Sequence, residues 1–312
     1  MHLSFHLYIT TLAKVAVMVF GGVILGKVLE EKGWTRSFRH FTRPILRGAH
    51  LPLCCEGALI TALVSGFAGD ALLSLHYRDQ ELTPKQVVLA SMILNLPLLL
   101  SFVPLLVGIV YPLTGWVGLA YLGTQITASL GLMMVAMGIG RSTFPPTTDE
   151  VVRDGEEGPE PTILQVLKNA TLEAAKVTFR ILIIAGPVMG LVFYLVNTGF
   201  FQSFQKNLAS YIHFPGLSPQ ALAVTAAHAL HIAGGAAVAG GLLKATLVTP
   251  KEAILAMVLG NAVGTPFRSL RMALPRYLAL YPPRLAITII LCTQGIRVFM
   301  VLTLYFLILW LW

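Results

Sequence analysis

Thr83–Asn95 reads TPKQVVLASMILN, and Thr249–Asn261 reads TPKEAILAMVLGN. Identical residues recur at Thr83/Thr249, Pro84/Pro250, Lys85/Lys251, Leu89/Leu255, Ala90/Ala256 and Asn95/Asn261, every pair 166 positions apart. The same offset aligns Leu25/Leu191, Gly33/Gly199, Ser37/Ser203, Phe38/Phe204 and Gly69/Gly235 upstream. Downstream it aligns Tyr111/Tyr277, Leu119/Leu285 and Thr127/Thr293. No insertion interrupts the match from Leu25 to Thr127, so the chain reads as one unit duplicated into two equivalent halves.

Composition sets the environment of those halves. The 312 residues are 56% hydrophobic and 12% charged, with a mean hydropathy of +0.77. A soluble domain carries about 25% charged residues, and several stretches here reach the roughly 20 apolar residues that span a bilayer. An integral membrane protein is predicted, with the lipid bilayer as its first partner. The net charge of +8 does not predict a nucleic-acid partner, because the basic residues flank apolar runs, as the positive-inside rule requires. The odd count of three cysteines, Cys54, Cys55 and Cys292, with two adjacent, predicts no structural disulfide. No Walker-type loop, GxGxxG, HExxH or CxxC occurs, and the aqueous segments are too short for a soluble catalytic domain. The chain is therefore not expected to be an enzyme.

Each half divides into four segments. Segment a runs from about Leu7 to Leu29 and is followed by a basic, aromatic-interleaved stretch, Lys27–Arg47, suited to an interfacial helix. Segment b (Leu51–Tyr77) is expected to break at Gly66-Phe67-Ala68-Gly69-Asp70. Segment c begins with Thr83 as cap and Pro84 in the first turn, and is expected to be interrupted at Asn95-Leu96-Pro97. Segment d runs from Leu113 to Ile139. Residues 141–162 form an acidic, proline-rich linker. The second half, 163–312, opens with a helix polar at Lys168, Glu173, Lys176 and Arg180. It repeats the pattern as a′ (Ile181–Asn197), b′ (Leu217–Leu243, expected to break at Gly234-Gly235 and Gly240-Gly241), c′ from Pro250 and d′ (Arg284–Trp312).

Charge gives the orientation of the halves. The segment after a holds six Lys or Arg, whereas its mate, Gly199–Leu217, holds only Lys206. The c–d connection holds none, whereas its mate holds Arg268, Arg271, Arg276 and Arg284. Opposite bias in equivalent segments predicts an inverted repeat, which needs an odd number of crossings per half. The fold class expected is an all-α polytopic membrane protein of two inverted-topology repeats (1–140 and 163–312). Each would have three spanning helices and one re-entrant helical hairpin, b or b′. Both termini would lie outside the cytoplasmic membrane of a prokaryote, with the linker inside.

In inverted-repeat transporters, ligands bind where helices are broken near the midplane, and polar residues within apolar segments are functional candidates. The substrate-binding candidates are Asn95, Asn261, Asp70, Thr265 and Arg271. For the asparagines the alternative is satisfying backbone freed by a helix break; for Asp70, helix capping; Arg268 and Arg271 are read either as anion contacts or as orientation charges. His228 and His231, spaced i, i+3, are candidate metal ligands or proton carriers. Glu56 beside Cys54 and Cys55 is a second candidate for a borderline metal. Arg297, inside d′, requires a partner that the sequence does not name. A coupling cation (proton, sodium or divalent metal) and a homo-oligomer are compatible with this pattern.

Leu89–Pro112 and Leu255–Pro282 resemble the gate domain shared by concentrative nucleoside transporters, the ferrous-iron transporter B membrane region and spore maturation proteins. Pro266, Arg271, Leu274-Pro275 and Tyr277 carry the resemblance in the second half, and Gly66-Phe67 resembles that family's hairpin tip. The resemblance implies a stand-alone gate-domain (nucleoside recognition) membrane protein that transports a small polar solute or ion between hairpins and broken helices. Ala68-Gly69-Asp70 and Ser101 stand where the iron-transporter pattern has cysteines, and no GTPase domain is present. Two alternatives stand beside a secondary permease: a divalent-metal permease using His228, His231 and Asp70, with the pair Cys54 and Cys55 as further candidates, and a non-transporting scaffold or sensor.

Overall fold

A computed structural model describes residues 35–146 and 215–312 continuously, with scattered helical positions between 9 and 24 and between 167 and 183. Segments a and a′ otherwise lie outside the described residues, as does most of the linker. The described elements are α1 (Thr35–Gly48), α2 (Cys55–Val64), α3 (Gly66–Arg78), α4 (Pro84–Thr114) and α5 (Trp116–Thr143). They continue with α6 (Pro219–Leu230), α7 (Ile232–Lys244), α8 (Pro250–Arg268), a π-helical turn Ser269–Ala273, α9 (Leu274–Leu280) and α10 (Pro283–Leu311). No strand occurs among the described residues. Four stretches are long and apolar enough to cross a bilayer: Pro84–Val103, Trp116–Thr143, Pro250–Leu280 and Pro283–Leu311. The chain is an all-helical, multi-pass membrane protein.

Two compact units interleave the sequence halves. The first comprises residues 1–101, 133–188 and 275–289; the second comprises 102–132, 189–274 and 290–312. Each contains one helical hairpin and the helix start that follows it. Both helix starts are capped alike. The Thr83 N–H donates to Gln86 Oε1 at 2.8 Å and the Gln86 N–H to Thr83 Oγ1 at 3.4 Å. Thr249 and Glu252 form the equivalent box at 2.8 and 3.2 Å, satisfying orphan first-turn donors.

The hairpins share their backbone as well. Helices α2 and α3 part at Ser65 (φ −151°, ψ 114°), and α6 and α7 part at His231 (φ −152°, ψ 128°). These residues are 166 positions apart. Left-handed residues recur at the same offset, Gln80 (φ 62°) with Thr246 (φ 56°) and His50 (φ 51°) with Gly216 (φ 82°).

The breaks differ from the expected positions. Gly66–Asp70 lies within α3 and Gly234–Gly241 within α7, so neither glycine group is the break itself. The extended conformation at Ser65 and His231 is open to any residue, and glycine composition does not mark it. The glycines permit close packing instead. A Cβ at Gly69 would stand 2.7 Å from Ala62 Cβ, 2.8 Å from the Ala58 carbonyl and 2.9 Å from Leu94. At Gly235 it would stand 2.3 Å from His228 Cβ.

The interruption expected at Asn95-Leu96-Pro97 is also absent, because α4 continues through all three residues. In the second half the irregularity follows Pro266, where the helix widens into the π turn. Proline has no N–H for the carbonyl four residues back, and a π turn is one way a helix absorbs such a defect.

Gly69→Ala is expected to destabilise the detergent-solubilised protein by about 1–3 kcal/mol through overpacking. Gly241→Ala, where nothing lies within 4 Å of the new Cβ, is expected to be neutral or stabilising by up to about 1 kcal/mol. Melting curves of both variants check the sign of each effect.

Candidate functional site

Two buried polar clusters lie among the apolar helices, one in each unit. In the first unit, Asp70 in the second turn of α3 meets Arg276 of α9. Arg276 Nε lies 3.2 Å from Asp70 Oδ2, with the side chains 12% and 4% exposed, so the ion pair is buried. The Tyr277 hydroxyl donates to Asp70 Oδ1 and the Tyr281 hydroxyl to the Asp70 carbonyl, both at 3.4 Å. The guanidinium stands 4.9 Å from the Phe67 ring centre and 4.8 Å from that of Tyr277, a cation–π geometry. Capping of α3 falls to Ser65, whose hydroxyl accepts from the Ala68 N–H at 3.4 Å. Asp70 is thus the counter-ion of Arg276. Beside this cluster a cavity of about 510 Å³ is walled by Tyr77, Arg78 and the turn 278–283.

The second unit places a different set together. Asn261 and Thr265 of α8 lie one turn apart, with Arg268 just beyond, so the three project from one stripe. Asn261 Nδ2 donates to Gln125 Oε1 of α5, and Arg297 of α10 donates to the same oxygen at 3.3 Å. Arg268 donates to Asn261 Oδ1, to the Asn261 carbonyl at 2.8 Å and to Thr265 Oγ1 at 3.2 Å. The Thr265 hydroxyl also donates to the Asn261 carbonyl, at 2.7 Å. His228, fully buried on α6, pairs its Nε2 with the Tyr121 hydroxyl at 2.9 Å. The result is a continuous relay Arg268–Asn261–Gln125–Arg297, flanked by Tyr121 and His228. It contains amides and cations and no carboxylate.

The remaining candidates are dispersed. Asn95 is buried on α4 in the first unit, whereas Asn261 belongs to the second. Arg271 is exposed on the π turn. His231 is exposed at the hairpin break while His228 is buried, because extended backbone at His231 removes the shared helical face. Glu56 accepts from the Thr42 hydroxyl at 2.6 Å. A metal-capable group forms instead at the base of the first hairpin, where ligand atoms of Cys54, His76 and Glu81 lie within 4.8 Å of one another. His76 Nδ1 and Glu81 Oε2 are 2.7 Å apart there.

Sequence reasoning singled out Asn261, Thr265, Asp70 and the unexplained Arg297. It missed Gln125 and Tyr121, which the apolar run of α5 conceals, and the partnership of Asp70 with Arg276. Arg276 was counted as an orientation charge and Arg268 as either that or an anion contact; both side chains turn inward, which leaves Arg271 and Arg284 as the exposed charges of that segment. The polar residues at the centres of apolar helices were the available signal for Gln125.

Comparison with known proteins finds similarity to three proteins of Methanocaldococcus jannaschii. Uncharacterized protein MJ0871 is 22% identical over 294 residues, covering 91% of this chain and 88% of that protein. Uncharacterized protein MJ1556 is 20% identical over 85% of this chain and 84% of its own length. Uncharacterized protein MJ0880 is 18% identical over 86% and 88%. No family model matches the chain, and no solved structure matches it. These archaeal proteins are similar along nearly the whole chain, so both hairpins fall within the matched length.

The two clusters make different thermodynamic predictions. Breaking the buried pair by Asp70→Asn or Arg276→Gln alone should destabilise the protein by about 3–5 kcal/mol. The double variant should recover much of that loss, because no uncompensated charge remains. A double-mutant cycle of denaturation midpoints measures the coupling.

Proposed function

We propose that this membrane protein is a permease for a small polar solute or ion, with the relay Arg268–Asn261–Gln125–Arg297 as its binding site. The observation that carries the reading is a polar group with unmet hydrogen-bonding capacity deep among apolar helices. Buried Nε of Arg297, one terminal nitrogen of Arg268 and Nδ1 of His228 have no hydrogen-bond partner. Polar groups in a bilayer are costly and persist where they serve a pathway. The setting agrees with transporter architecture: a broken hairpin, α6–α7, and a widened helix after Pro266 flank the group. The duplicated sequence, with the recurrence of hairpin breaks, caps and left-handed residues at one offset, supports two repeats. The basic stretch Lys27–Arg47 supports their inversion. A rocking of one repeat against the other would then expose the site to alternate faces, with a proton, sodium or divalent cation available for coupling.

In proteoliposomes, uptake of labelled solutes is expected to fall at least about tenfold in Asn261→Ala and in Gln125→Ala, the effect of removing a buried hydrogen-bonding partner. Uptake unchanged by both substitutions would reject this site.

A second reading, a divalent-metal protein, is favoured by Cys54, His76 and Glu81, whose thiolate, imidazole and carboxylate suit a borderline ion such as zinc. Zinc should raise the melting temperature of the wild type in a concentration-dependent way, and the rise should vanish in Cys54→Ser/His76→Ala. An equal rise in both proteins would assign the effect to other ligands.

A further inference from the structure

We infer that the second unit binds a small soluble oxyanion, a carboxylate or phosphate group held between Arg268 and Arg297. The inference rests on the permease reading's site and adds the charge of its occupant. The residues of this unit, 102–132, 189–274 and 290–312, hold six Lys and Arg and a single carboxylate side chain, Glu252. That carboxylate is committed elsewhere. Glu252 caps the start of α8, accepting from the Thr249 N–H and hydroxyl at 2.8 and 3.0 Å. It stands about 24 Å along the helix from Arg268 at 1.5 Å per residue.

Among the described residues, neither Arg268 nor Arg297 takes part in an ion pair, whereas Arg276 does. Arg297 stands at the midpoint of α10 (Pro283–Leu311), about 20 Å from either end. A guanidinium there cannot reach interfacial water by extending along the helix, and an arginine remains charged in proteins.

Hydrogen-bond supply points the same way. Two guanidiniums bring about ten N–H donors. The acceptors facing them are Gln125 Oε1, Asn261 Oδ1, Thr265 Oγ1 and the Asn261 carbonyl. Gln125 Oε1 already serves both Asn261 and Arg297. An oxyanion supplies what is short, several acceptor lone pairs and negative charge, and guanidinium forks match its geometry.

The hairpin adds a further attraction. Helix α7 begins at the break with no side-chain cap from His231, so its first-turn N–H groups, which carry the positive end of the helix dipole, are not satisfied by that residue. Helix α3, at the equivalent position, is capped by Ser65. Arg268 lies close to this break. A Cβ built at Gly264 would stand 2.5 Å both from the Ala229 carbonyl, near the end of α6, and from Arg268. A lipid headgroup carries the same phosphate chemistry but sits at the interface, far from the midpoint of α10.

The test measures binding by full-length protein in phosphatidylcholine nanodiscs, using inorganic phosphate, sulfate, succinate and uridine as probes. Melting shifts give affinities, and proteoliposome uptake of the same probes runs in parallel. At least one oxyanion should stabilise the protein saturably. Arg268→Gln and Arg297→Gln should each weaken that affinity at least about tenfold, the scale of one charge-assisted hydrogen bond. Lysine at either position should weaken it less, and Lys244→Gln should have no effect. Ligand-free Arg297→Gln should melt no lower than the wild type, because it removes an uncompensated charge, which separates a binding role from a structural one.

Oxyanion binding without uptake would uphold the anion site and reject the permease reading. Uptake of uridine with no competition from any oxyanion would reject the anion site and leave the permease reading standing. Absence of binding and uptake for every probe would reject both. Stabilisation by phosphatidylglycerol in the disc, with no response to free anions, would overturn the assignment to a soluble ligand.

Discussion

An ionised side chain among apolar helices must be matched by opposite charge or by hydrogen bonds, and that requirement separates the two units of this protein. Without a match, the desolvation cost of one ion is several kcal/mol even after relaxation. The first unit meets the charge requirement internally: Asp70 faces Arg276, and the Tyr277 hydroxyl donates to the Asp70 carboxylate. The second unit meets it only in part. Its arginines are held by amides, a hydroxyl and a carbonyl, which offer dipoles and no charge. One compact unit thus holds an ion pair and the other a cationic group without one, and each cluster joins residues from both halves of the sequence.

Small residues make this arrangement possible. Helix α8 presents Gly260 and Gly264 on one stripe and Asn261, Thr265 and Arg268 on the stripe beside it. A Cβ at Gly260 would stand 2.7 Å from the Thr225 carbonyl and 2.8 Å from His228 Cβ. The glycine stripe therefore lets α6 lie directly against α8, in the manner of small-residue contacts between membrane helices. Close contact carries His228 and the end of α6 alongside the polar stripe. The Thr225 hydroxyl fixes the register by donating to the Ala256 carbonyl at 3.2 Å. Packing and chemistry are interlocked, since the residues without side chains determine where the polar side chains meet.

Much of this was legible in the sequence, for identifiable reasons. Bilayer-length apolar runs announce spanning helices directly, and the Thr-Pro-Lys starts of α4 and α8 announce their caps. The self-match at 166 located Ser65 opposite His231 without revealing that both are breaks, because extended backbone leaves no compositional mark. Glycine drew attention to the neighbouring residues, where it serves contact between helices. Proline similarly suggested a break at Asn95-Leu96-Pro97 that α4 tolerates, whereas Pro266 is followed by a real distortion. Asn261 was visible as an amide in an apolar run. Its partners were not, since Gln125 lies 136 positions earlier and no local pattern connects residues on different helices. Arg276 shows the sharpest limit: a basic residue near a helix end reads as an orientation charge until its contacts show it facing inward.

The chemistry of the relay explains why its centre is built from amides. Gln125 could have been a glutamate and Asn261 an aspartate with little change in volume, and either would have neutralised a guanidinium permanently. The first unit took that course with Asp70 and Arg276. Amides accept from arginine without cancelling its charge, and each retains N–H donors of its own. Gln125 Oε1 can therefore hold Arg297 and Asn261 in register while the electrostatic requirement stays unmet. A site meant to be closed gains from a carboxylate at its centre; a site meant to exchange an anion must orient its cations and leave them without one. The choice of amide over acid at two contacting positions, in the unit whose sole acidic side chain is diverted to a helix cap, leaves Arg268 and Arg297 with dipoles and no carboxylate among the described residues.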